Sequence, residues 1–173
     1  GRETFLLPVT WTSGGWPLIL PHGQPIPHVA NRPDLPPDPP QILPTSGPFT
    51  VLDEFDSASP GLHWMSMRGP AGERLADGAM HLTPRAEGIG DLAMPAFIAR
   101  RQQHRDMEAS TLLRFAPGPG EAAGLAIVQR DEYWYALLVA DAGGGRREAR
   151  VLVRGGANDP PQGRRLAAAP LPA

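Results

Sequence analysis

The sequence predicts an all-β chain organised around an antiparallel meander. Three observations carry this. Apolar residues alternate with a period of two over residues 107–115, 123–128 and 133–140, as strands with a covered face do. Turn-forming runs separate them: Pro117-Gly118-Pro119-Gly120, Asp131-Glu132, and Asp141-Ala142-Gly143-Gly144-Gly145. The 173 residues include 20 Gly and 22 Pro and hold no long apolar stripe at the helical period.

In chain order, residues 4–11 offer a short strand, followed by the apolar run Trp16-Pro17-Leu18-Ile19-Leu20. From 21 to 48 prolines are too frequent for a helix or a central strand. Residues 34–40, Asp-Leu-Pro-Pro-Asp-Pro-Pro, read as an extended, stiff segment. A spacer between two rigid bodies and a linker with no positional role both fit it. Strand candidates then follow at 49–55, 62–68, 79–82, 96–103, in the three central runs, and at 148–154, with loops at 69–72, 84–91 and 155–163.

In the first central run Met107, Ala109, Thr111, Leu113 and Phe115 share one face, opposite Glu108, Ser110, Leu112 and Arg114. The second and third runs are apolar on both faces, which predicts a covering layer on each side. Short strands at this spacing predict an antiparallel β-sandwich of concanavalin-like, jelly-roll type. The expected division is 1–20 as the tail of a preceding domain, 21–47 as a proline-rich tether, and 48–173 as the sandwich.

Composition narrows the partners. Net charge is −2 and every basic residue is an arginine, scattered among acids, so no basic stripe invites nucleic acid. No apolar run approaches the roughly 20 residues of a membrane span, and without cysteine there is no disulfide or thiolate chemistry. The N-terminus shows no signal-peptide pattern, which leans the expected location toward the cytoplasm.

Several motifs carry a resemblance. The order Arg100-Arg101-Gln102-Gln103-His104, then Glu108-Ala109-Ser110-Thr111, Ala123-Gly124-Leu125 and Gln129-x-Asp131-x-Tyr133-x-Tyr135 resembles the C-terminal β-sandwich of family 43 glycoside hydrolases. Phe55-Asp56-Ser57 with Leu62, Trp64 and Arg68 resembles the opening of that sandwich. Gly1-Arg2-Glu3-Thr4-Phe5 through Trp11 and Gly15-Trp16-Pro17 resembles the last strand of the catalytic propeller. The family comprises β-xylosidases and α-L-arabinofuranosidases that degrade xylan with inversion. The resemblance implies an accessory domain that packs on the propeller and helps shape its pocket. It implies as partners the catalytic propeller and, for the parent enzyme, a xylo-oligosaccharide or arabinoside substrate.

The family's catalytic carboxylates lie on the propeller, so no catalytic residue carries over and the chain alone is expected to be inactive. The family's sandwich also continues past the point matching 170–172. An incomplete sandwich at the C-terminus would expose an apolar face and strand edges, so self-association into a homo-oligomer is expected. A free-standing carbohydrate-binding module and a purely structural oligomerisation domain are the alternatives.

Candidate sites are few. His22, His28, His63, His81 and His104 show no metal-ligand spacing. Asp53, Glu54 and Asp56, with Asp131 and Glu132, form oxygen-rich turns that calcium favours, but no calcium-loop motif accompanies them and no cofactor is expected. Trp64 and Trp134 alternate within apolar runs and are expected in the core. Trp11 and Trp16 are expected at a domain junction. Arg101, Gln103 and His104 belong to a polar run whose groups need partners, so they are expected to face a sister domain.

Overall fold

The computed structural model describes residues 4–31, 34, 36, 44 and 47–172. The stiff segment expected at 34–40 therefore lies largely outside the described residues, as do Gly1, Arg2 and Glu3. The chain divides into two units, Gly1–Gly47 and Pro48–Ala173.

In the first unit, β1 (Thr10–Trp11) pairs antiparallel with β2 (Pro17–Leu18). Thr12 closes the turn: its N–H donates to the Trp16 carbonyl at 2.9 Å, and its hydroxyl accepts from the Trp16 N–H at 3.1 Å. Gly15 turns the chain at a φ of 80°, which glycine adopts without steric cost.

The second unit contains β3 (Met65–Ser66), β4 (Arg74–Ala76), β5 (Ala79–His81), β6 (Ile98–Ala99), β7 (Ala122–Arg130), β8 (Tyr133–Gly143), β9 (Arg146–Gly155) and β10 (Arg164–Pro170). β3 pairs with β6, and β4 with β5 across Asp77-Gly78, both at positive φ as a two-residue hairpin requires. The long strands form one antiparallel sheet in the order β10-β9-β8-β7. All described strands pair antiparallel and none of the described residues is helical, which agrees with the all-β expectation.

The alternation sorts β8 into two faces. Trp134, Ala136 and Ala140 are buried on one face, with Leu152 and Arg154 of β9 beside them in register. The other face is open: Ile127, Tyr135 and Leu137 are 64%, 57% and 55% exposed. The covering layer expected on each side is thus full on one side and, apart from the buried Val153 of β9 opposite Tyr135, largely missing on the other among the described residues. Other strand expectations differ. Residues 107–115 alternate as a strand but join no ladder, because no described strand lies alongside them. The expected strands at 4–11, 62–68 and 96–103 shorten to β1, β3 and β6, and that at 49–55 is not formed. β10, which the sequence does not suggest, extends the sheet by pairing Arg164 with Val153 and Pro170 with Glu148.

Candidate functional site

The β7–β8 turn is the anchor of the most developed polar cluster. β7 ends with a register shift between Val128 and Arg130, so the turn projects Arg130, Asp131 and Glu132 at the end of the sheet. Asp131 has three tasks there. Its carboxylate pairs with Arg68, and its carbonyl accepts from Trp134 Nε1 at 3.0 Å and from Arg154 Nη1 at 2.7 Å. Arg130 folds back on the same turn, pairing with Glu132 at 2.6 Å and lying 4.9 Å from the centre of the Tyr133 ring.

The loop at 88–94 forms the facing wall. Asp91 shapes it by accepting the Gly88 N–H at 2.7 Å. Arginines then hold its backbone: Arg154 Nη1 donates to the Gly90 carbonyl at 2.8 Å, Arg68 Nη1 to Asp91 and Ala93 at 3.0 and 3.1 Å, and Arg85 Nη1 to Met94 at 3.0 Å. Gly90 is required by space, since a Cβ there would overlap the Pro161 carbonyl and meet Arg154 Nη1 at 3.2 Å. Between loop and turn lies a cavity of about 270 Å³ lined by Gly90, Leu92, Arg130, Asp131, Glu132 and Arg154.

A second cluster surrounds Asp53. Its carboxylate accepts from Trp64 Nε1 at 2.8 Å and from the Phe55 N–H at 3.0 Å, with His63 Nε2 at 3.6 Å. The Trp64 hydrogen bond is the main reason its pKa lies below the ordinary 3.8, against a smaller upward push from burial. Beside it, Trp64, Ser66, Glu73 and Ile98 line a shallow cleft of about 250 Å³.

The sequence-expected residues are scattered. Trp11, the last residue of β1, and Trp16, just before β2, flank the turn of the first unit's small hairpin and are exposed. Arg101, Gln103 and His104 follow β6 on an exposed stretch, where the His104 ring meets Phe49 edge-on at 5.1 Å. Trp134 lies in the core, whereas Trp64 is half-buried and tied to Asp53. Of the acidic turns, Asp53 is engaged by Trp64 and Asp131 by Arg68, and no three His, Asp or Glu side chains converge among the described residues. Arg154 and Gly90 escape the sequence reading. The signal for Arg154 is a charge at the inward-facing position of an apolar strand, two residues beyond Leu152 on the same face.

The motifs brought together here come from separate parts of the resemblance: Arg68 belongs to the sandwich's opening pattern, Asp131 and Tyr133 to the meander. A family model described as beta xylosidase C-terminal concanavalin A-like domain matches residues 52–169. The chain belongs to this family, a domain family of family 43 glycoside hydrolases. It is also 34% identical over 151 residues to the non-reducing end alpha-L-arabinofuranosidase BoGH43B of Bacteroides ovatus. That match covers 84% of the chain but 27% of the relative, so the chain spans about a quarter of that protein's length. No solved structure matches the chain.

Proposed function

We propose that this family 43 domain is a non-catalytic accessory sandwich of a xylan-degrading β-xylosidase or α-L-arabinofuranosidase. It packs against the catalytic propeller of the parent polypeptide and helps shape its substrate pocket. The observation that carries the reading is the open sheet face formed by Ile127, Tyr135 and Leu137. A contiguous apolar surface of this kind marks a place where something docks. The relative's length, nearly four times the matched segment, supports a covering partner within one long polypeptide. Trp11, Trp16, Arg101, Gln103 and His104, all exposed, are the proposed contacts with the propeller side.

Hydroxyl-radical footprinting tests this on the full-length polypeptide and on the isolated chain. Tyr135, Leu137, Trp11, Trp16 and His104 are expected to oxidise several-fold more slowly in the full-length protein. Equal oxidation in both would remove the docking role. Turnover of a chromogenic pentoside by the rigorously purified chain would overturn the non-catalytic assignment.

A further inference from the structure

The cavity between the 88–94 loop and the β7–β8 turn is lined by a buried guanidinium, Arg154, that has no carboxylate partner among the described residues. Arg154 is 8% exposed. Its Nη1 donates to the Gly90 and Asp131 carbonyls, while its Nε is buried with no hydrogen-bond partner among the described residues. The neighbouring charges are already matched: Arg130 by Glu132, Asp131 by Arg68. The Asp91 carboxylate turns back onto the Gly88 N–H. Tying the loop to the turn thus accounts for one nitrogen of the guanidinium and leaves Arg154 without an ion pair of its own among the described residues. A buried cation is costly unless an anion or a full set of acceptors meets it. The group that best fits a guanidinium fork is a carboxylate.

The rest of the lining specifies more than an anion. Arg130 and Glu132 place a donor and an acceptor at the mouth, and Leu92, largely exposed, offers an apolar wall. At about 270 Å³ the cavity lies just below the roughly 300–1,000 Å³ of drug-sized sites, so its ligand is small. We propose that this cavity binds a hydroxylated carboxylate the size of one sugar acid, its carboxylate against Arg154 and its hydroxyls at Arg130 and Glu132. The site stands on its own geometry and goes beyond the accessory role, which could fail with the cavity intact.

Isothermal titration of the full-length protein with D-glucuronate, D-xylose and acetate provides the test. Saturable glucuronate binding is expected, with none for xylose and weaker binding for acetate, which lacks the hydroxyls. Arg154→Met should abolish glucuronate binding. Because Arg154 also anchors the loop, Arg130→Ala at the rim is the second variant. It should weaken glucuronate about tenfold, the scale of one charge-assisted hydrogen bond, without shifting thermal unfolding. Absence of glucuronate binding, equal binding of xylose, or binding that survives both substitutions would overturn the site. Acetate binding as tightly as glucuronate would overturn the hydroxylated class.

Discussion

Asp53 shows how one carboxylate organises a local turn. Phe55 sits at a φ of 55°, a conformation bulky residues rarely adopt, and its N–H donates to Asp53 as the chain bends. The same carboxylate fixes the Trp64 indole, whose ring lies 5.8 Å from that of Phe55. Because the folded pKa lies below the ordinary 3.8, ionised Asp53 adds stability above that value and loses it as pH falls through the folded pKa. The thermal unfolding difference between wild type and Asp53→Asn should therefore be largest above about pH 5 and shrink toward pH 3. A pH-independent difference in melting temperature would refute the assignment. The sequence marks Asp53, Glu54 and Asp56 as an oxygen-rich turn, but not that the tryptophan eleven residues on takes up the first of them. Partner choice across a turn is a three-dimensional fact that spacing alone does not encode.

Strand identity divides cleanly into what pattern can and cannot supply. β7, β8 and β9 are legible because alternation, turn residues and length agree, and their ladder forms close to the expected bounds. β10 is the converse: Arg164-Arg165-Leu166-Ala167-Ala168-Ala169-Pro170 has neither β-branched nor aromatic residues, and pairing with β9 alone makes it a strand. Residues 107–115 carry the pattern without a neighbour to pair with. A strand is a relation between two segments, and the second is not in view for one of them. Hydrogen exchange on the isolated chain should find the β8 and β9 amides slowest and those of 107–115 exchanging orders of magnitude faster. Comparable protection at 107–115 would show that this segment finds a ladder after all. Within the sheet, Trp134 is the largest buried side chain of the core and sits against Gly163. Trp134→Ala should cost about 3–5 kcal/mol in chemical denaturation, as large-to-small changes in a core do.

At the scale of the whole molecule, the fold class and family membership are legible in the sequence, and the open face is not. Tyr135 and Leu137 read as interior residues, yet among the described residues it is the opposite side of β8 that is buried. Periodicity reports which face is apolar and is silent on what lies above it. The consequence is measurable: the isolated chain should self-associate with rising concentration in light scattering, and Ile127→Lys with Leu137→Lys should shift it toward monomer. A monodisperse wild-type monomer would count against the open face as a sticky surface.

The 88–94 loop carries one more implication. Three arginines, Arg68, Arg85 and Arg154, grip it by its carbonyls at Gly90, Asp91, Ala93 and Met94, not by its side chains. Main-chain oxygens are the same whatever residue bears them, so the grip is indifferent to most substitutions there. Gly90 and Asp91 are fixed by space and by the turn, but Leu92 and Ala93 are free to drift. Such a loop lets evolution, or a library confined to two codons, change what lines the cavity mouth while its frame stays put.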